Sequence, residues 1–150
     1  MGKKHVIETN QEELIKESEK VDKAVGSEVK VKKSTAVKEG RIYISSSYNN
    51  TIITLANSRG DVIVVKSAGS VGFKGAKKAT SFAASRVAEA ISNVAKKLGV
   101  EKVEVLVKGI GAGRESAVRA LSMQGMNFIS VKDVTPIPHN GCRPKKVRRV

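Results

Sequence analysis

This sequence predicts an α/β fold in a single domain: a mixed sheet in the order βββαβαβ with helices packed on it, continued by an extended basic C-terminal arm. Three observations carry that expectation. Residues 41–66 alternate apolar and polar side chains through three short runs. Two stretches with apolar residues three and four apart follow, each joined to a further β-rich run. The chain then closes on three prolines and five cations, with no carboxylate from Pro136 onward.

The first strand is Arg41-Ile42-Tyr43-Ile44-Ser45, the second Thr51-Ile52-Ile53-Thr54-Leu55-Ala56 and the third Val62-Ile63-Val64-Val65-Lys66. Asn57-Ser58-Arg59-Gly60-Asp61 between the last two is a hairpin turn, because Asn, Gly and Asp accept turn backbone conformations. The polar stretch Ser45-Ser46-Ser47-Tyr48-Asn49-Asn50 joins the first pair, and a Gly-rich loop from Ser67 to Gly75 follows the third strand. Ala79, Phe82, Ala83, Val87, Ala90, Ile91, Val94 and Leu98 keep helical spacing until Gly99 stops the helix. Val103-Glu104-Val105-Leu106-Val107 leads into Gly109-Ile110-Gly111-Ala112-Gly113-Arg114. A second helix starts near Glu115, uses Ala117, Val118, Ala120 and Leu121, and ends at Gly125. Phe128-Ile129-Ser130-Val131-Lys132-Asp133-Val134 is the last strand. A meander followed by two crossover units makes a mixed sheet, since strand-helix-strand connections place parallel strands with right-handed crossovers. Ribonuclease-H-like domains share this topology, which says nothing about activity.

Charge divides the chain. The whole carries 28 Lys and Arg against 14 Asp and Glu, yet residues 1–39 hold 9 basic and 8 acidic side chains, leaving 19 against 6 for residues 40–150. The partner-facing charge therefore belongs to the second segment. We divide the chain into a flexible charged extension (1–39), an α/β domain (40–135) and the arm (136–150). In the extension, Leu14, Ile15, Val21 and Val25 permit one weak amphipathic helix, with Glu12→Lys16 and Glu19→Lys23 pairs adding a few tenths of a kcal/mol each; disorder or a fraying helix is the expectation. A domain this small buries roughly 60–70% of its unfolded surface and gains from a bound partner. The single cysteine, Cys142, excludes an internal disulfide and suits a reducing compartment. No apolar run approaches the ~18–20 residues of a membrane span. Eight acids precede the first arginine, Arg41, and no apolar signal core is present, so we expect a soluble cytoplasmic protein.

The arm is the most informative segment. Proline fixes φ and removes backbone donors, so a tail holding Pro136, Pro138 and Pro144 extends from the sheet, and its cations Arg143, Lys145, Lys146, Arg148 and Arg149 suit a polyphosphate groove. The 109–114 loop sits between a strand and a helix, where glycine lets amides approach an anion. Three readings stay open there: a phosphate-backbone contact through Gly111, Gly113 and Arg114, a structural tight turn, and a dinucleotide site with Asp133 toward a ribose. The last lacks the glycine that a Rossmann fingerprint needs where Arg114 stands. Lys74, Lys77 and Lys78 lie in a Gly loop and the first turn of the long helix, against its dipole unless an anion is near; a solvated basic surface is the alternative to RNA. Tyr48, Asn49 and Asn50 suit base stacking and sugar or base-edge contacts, or ordinary turn chemistry. His139 and Cys142 fall short of the four ligands of a metal site, so no metal or other cofactor is expected. Asn140-Gly141 is open to deamidation, which a peptide map reads. Six acids in residues 40–150 and one histidine, on the tail, leave no catalytic constellation.

Asp133-Val134-Thr135-Pro136-Ile137-Pro138-His139-Asn140-Gly141-Cys142-Arg143-Pro144 resembles the C-terminal signature of the bacterial-type small-subunit ribosomal protein eleven family. Tyr48-Asn49-Asn50-Thr51-Ile52, Gly72-Phe73-Lys74-Gly75, Val107-Lys108-Gly109 and Gly113-Arg114-Glu115-Ser116 with Arg119-Ala120-Leu121 resemble it too, in one register over roughly residues 38–150. The resemblance implies a non-catalytic constituent of the small-subunit platform that bridges helices of 16S rRNA and lines the Shine–Dalgarno cleft beside mRNA. It implies small-subunit proteins six, seven, eighteen and twenty-one as neighbours, initiation factor three nearby, and rRNA contacts at Asn49, Asn50, Lys74, Lys77, Lys78, Arg114 and His139 to Arg149. This chain departs from the family at Ile110 and Ala112, where prolines are usual, in the tail after Pro144, and in its long, acidic leader. The competing functional readings are a nucleotide-binding regulatory domain using the 109–113 loop and a non-ribosomal nucleic-acid chaperone.

Overall fold

A computed structural model of the chain describes residues 15–16, 18–23, 25, 38–143 and 145–146. Its domain is a five-stranded sheet of β1 (Glu39–Ser46), β2 (Thr51–Asn57), β3 (Val62–Ser67), β4 (Lys102–Gly109) and β5 (Asn127–Asp133), in the order β3-β2-β1-β4-β5. The meander strands pair antiparallel, whereas β1 with β4 and β4 with β5 are parallel. The mixed sheet and its two crossovers are those that the element order predicts. Among the described residues, no helix is long and apolar enough to cross a membrane.

Alternation decides which face of the sheet is covered. Ile42, Ile44, Ile53, Leu55, Val103 and Val105 point to one side and are fully buried there. Helices α1 (Ser81–Lys97) and α2 (Gly113–Met123) pack on that side, α1 over β2 and β3 and α2 over β1 and β4. Small residues set their spacing: Ala83, Ala84, Ala88 and Ala95 of α1 are all fully buried. The other sheet face is open, carrying half-buried Tyr43, Thr54 and Leu106. On it Glu104 accepts from Lys132 at 2.6 Å and from Arg41 at 3.1 Å. These cations, Lys132 foremost, hold the Glu104 carboxyl below its ordinary range.

Two boundaries differ from the expectation. The long helix begins only at Ser81, because the Thr80 hydroxyl accepts from the Ala83 amide and caps it there. Lys77 and Lys78 therefore lie outside its first turn, in a separate 3-10 turn, Gly75–Ala79. The second helix starts at Gly113, two residues before Glu115, since Gly113 is small enough to enter the helical turn beside α1.

In the leader, residues 15–16, 18–23 and 25 are described, and all are helical. Val21 is buried and belongs to the hydrophobic core, Val25 packs against that core and Ile15 is exposed. Leu14 and Glu12 lie outside the described residues.

Candidate nucleic-acid interface

Strand direction gathers the functional candidates at one end of the sheet. Ser46 pairs with Thr51 and with Gly109, Ile52 with Ser67, and Val107 with Asp133. The turn after β1, the loop after β3, the loop after β4 and the arm after β5 consequently leave from the same edge. Both helices begin there as well, which turns their N-terminal amides toward it. Four of the six domain acids lie elsewhere: Asp61 in the β2–β3 turn, Glu89 midway along α1, Glu101 before β4 and Glu104 on the open sheet face. Glu115, in the first turn of α2, and Asp133 are the exceptions.

The glycines of the 109–114 loop serve contact with the protein itself. Gly109 has φ +99, and a Cβ there would overlap the Ser46 carbonyl oxygen. One on Gly111 would overlap Ser46 and Ser47, and one on Gly113 would overlap the Thr51 hydroxyl and approach Ala84 Cβ to 2.9 Å. Gly111 and Gly113 are buried, and the Gly111 amide donates to the Ser46 carbonyl at 3.2 Å. Among the three readings of this loop, its geometry is that of a tight structural turn. Ile110, 65% exposed, and Ala112 form its outer surface.

The turn beside it presents Tyr48 and Asn49 outward. Ser47 organises this turn: its hydroxyl donates to the Asn50 carbonyl at 3.2 Å and accepts from the Asn50 amide at 3.2 Å. Tyr48 is 74% exposed, as a base-stacking ring requires. Asn50 Oδ1 is buried without a hydrogen-bond partner among the described residues. In the loop after β3, Lys74 and Lys77 are exposed and Lys78 is half-buried. Phe73 meets Phe82 edge to face at 5.9 Å, and Arg86 stacks over Phe82 at 5.3 Å.

Arg114 acts as a clasp for the root of the arm. Its Nη2 donates to Asp133 Oδ2 at 2.6 Å, and its Nη1 donates to the Gly109 carbonyl at 3.0 Å and to Thr135 Oγ1 at 3.4 Å. Thr135 also receives the Gly109 amide at 3.0 Å and donates its hydroxyl to Asp133 Oδ1 at 2.6 Å. Asp133, which only the dinucleotide reading turns toward a ribose, is thus engaged within the protein, and Arg114 offers a phosphate only what the clasp leaves free. Beyond the clasp, residues 134–143 carry no helix or strand. His139, Asn140, Arg143, Lys145 and Lys146 are exposed, while Pro144, Arg148 and Arg149 lie outside the described residues. Asn140 stands at φ 54, the left-handed turn that Asn tolerates best.

The Arg114 guanidinium, followed by the Thr135 hydroxyl and amide, holds the Asp133 carboxyl well below its ordinary value of 3.8. A depressed carboxylate contributes stability that is complete above the ordinary value and lost only as pH falls through the lower, folded one. The carbon-13 shift of the Asp133 carboxyl is therefore expected to stay flat through pH 3.8, and in Arg114→Ala, where only the Thr135 bonds remain, to titrate at a higher pH than in the wild type. A wild-type midpoint at the ordinary value would contradict the clasp.

Residues 40–149 match the family model for Ribosomal protein S11. The chain belongs to the S11 family. It is similar to small ribosomal subunit protein uS11 of Borreliella burgdorferi (strain ZS7), 48% identical over 127 residues that cover 85% of this chain and 96% of that protein. The uS11 of Treponema pallidum (strain Nichols) is 50% identical over 121 residues, 81% of this chain and 96% of its own. The uS11c of Cyanidioschyzon merolae is 54% identical over 113 residues, 75% and 93%.

The S11 family match spans all four segments at the loop-bearing edge, and two groups there escaped sequence reasoning. Thr135, the last residue of the domain, carries no assigned role in the sequence reading, though an Asp two residues before it is the spacing at which a carboxylate accepts a backbone amide; Asp133 Oδ1 does so at 2.9 Å. The buried hydroxyl pair of Ser46 and Thr51, 3.5 Å apart beneath Gly113, left no signal, because it depends on the β1–β2 register. Among the described residues, no group of three His, Cys, Asp or Glu side chains could hold a metal ion.

Proposed function

We propose that this chain is a structural, non-catalytic constituent of the small ribosomal subunit, working in the cytoplasm, and that the loop-bearing end of its sheet lies against small-subunit rRNA. The observation that carries this reading is the convergence, at one edge, of exposed Tyr48 and Asn49, the Lys74–Lys77–Lys78 loop and a clasped arm with uncompensated cations. In this proposal Lys74, Lys77, Lys78, Arg143, Lys145, Lys146, Arg148 and Arg149 neutralise phosphates, and Tyr48, Asn49, Asn50, His139 and Asn140 fit RNA shape. Gly111 and Gly113 hold the turn that presents them, and Arg114 aims the arm. The unpartnered Asn50 Oδ1 is an acceptor suited to a ribose hydroxyl.

Carried further, the reading sets the protein on the platform, bridging 16S rRNA helices at the Shine–Dalgarno cleft beside mRNA. Small-subunit proteins six, seven, eighteen and twenty-one and initiation factor three are the proposed neighbours. The nucleotide-binding alternative has little support in geometry, since the space a phosphate would need at Gly111 and Gly113 is filled by Ser46, Ser47 and Thr51. Small subunits washed in concentrated monovalent salt separate the ribosomal reading from a nucleic-acid chaperone. A constituent is expected to stay with the subunit, and full recovery in the wash would refute that role.

A further inference from the structure

The leader helix seats on the domain at the edge assigned to RNA. Val21, 7% exposed, packs over Gly72, its Cγ2 3.5 Å from where a Cβ on that glycine would stand. Asp22 Oδ1 lies 3.3 Å from Arg86 Nη2. Between the helix and the domain runs a cleft of about 370 Å³, walled by Ser18 and Asp22 on one side and by Phe73, Phe82 and two proposed phosphate ligands, Lys74 and Lys77, on the other. A phosphodiester chain reaching those lysines from this side meets a carboxylate and a helix first. The seat is also weak. Among the described leader residues Val21 alone is well buried, and the ion pair beside it leaves its aspartate 60% exposed.

We propose that the leader is a removable cover for the Lys74–Lys77 part of the interface: docked through Val21 and Asp22 in the free protein and displaced when RNA binds. This rests on the RNA reading above. A cover of this kind lowers apparent affinity by the fraction of molecules left open, so a leader seated nine-tenths of the time weakens binding roughly tenfold. The factor is the same for every RNA that needs these lysines, so it empties weakly held, non-specific RNA while a tightly held RNA stays saturated.

The test uses full-length protein, with Val21→Ser removing the anchor at constant net charge and Ile15→Ser, at an exposed position of the same helix, as the control. Binding to a mixed-sequence RNA hairpin at fixed salt is measured beside hydrogen exchange of the Gly72 and Phe73 amides, which donate to the Gly69 and Ala68 carbonyls at the Val21 contact and report seating without RNA. Val21→Ser is expected to bind about three- to tenfold tighter and to exchange faster at both amides, with Ile15→Ser unchanged in both. Faster exchange with equal or weaker RNA binding would overturn the cover while leaving the RNA reading intact. Unchanged exchange would overturn the seat itself. Failure of wild type and variant alike to bind RNA would overturn the RNA reading and the cover with it, whatever exchange reports.

Discussion

A chain ending at His139 is expected to lose most of the salt dependence of rRNA binding. The removed segment holds five cations, Arg143, Lys145, Lys146, Arg148 and Arg149, and no acid. Five phosphate contacts on single-stranded RNA contribute a slope of about −3.5 in log K against log salt, or roughly a hundredfold between 50 and 200 mM. The fold should not register the loss. The described residues beyond His139 are all exposed, and the clasp of Arg114, Asp133 and Thr135 lies before the cut. Thermal unfolding of the truncated chain is therefore expected to match that of the full chain, so that weaker binding reports lost phosphate contacts. An unaltered salt slope would show that the domain loops, and not the arm, anchor the protein. The comparison also weighs the domain against the arm, since the slope that remains counts the phosphates held by Lys74, Lys77 and Lys78.

The strand and helix order was legible because each element is written in local periodicity. Alternation through Ile42, Ile44, Ile53 and Leu55 names the covered sheet face, and the spacing of Ala83, Val87, Ile91 and Val94 names the buried side of α1. The gathering of candidate loops at one edge follows from that order alone, because parallel β4 and β5 finish where β1 finishes. The use of each loop is a matter of neighbours distant in sequence. The sequence shows that Gly111 and Gly113 permit close approach; only the β1–β4 register shows that Ser46 and Thr51, rather than phosphate, do the approaching. Arg114 has the same lesson in charge, since its partner Asp133 is 19 residues away along the chain and beside it in space. The leader illustrates the limit of composition: near-balanced Lys and Glu suggest a free tail, whereas a single valine at the right place joins the core.

Replacing Gly109 by alanine is expected to be the most destabilising single methyl addition at this edge, and Gly60→Ala isolates the reason. Both glycines hold the same unusual backbone, φ +99 at Gly109 and +100 at Gly60, so both variants carry the strain of a side chain in a conformation it avoids, of order 1–3 kcal/mol. Their surroundings differ. At Gly60, in the β2–β3 turn, nothing lies within 4 Å of the new Cβ, whereas at Gly109 the Ser46 carbonyl oxygen occupies its place. That oxygen is backbone of the central strand and already receives the Gly111 amide, so relief requires moving β1 away from the loop, an overpacking cost of roughly 1–3 kcal/mol more. Moving the loop also draws on the clasp, because the Gly109 carbonyl accepts from Arg114 and its amide donates to Thr135. Gly109→Ala should consequently lower Tm by roughly ten degrees more than Gly60→Ala does, and should speed amide exchange at Thr135 and at the Gly111 amide. Equal melting of the two variants would mean that the loop yields freely, and that the contact with Ser46 does not set the position from which the arm departs.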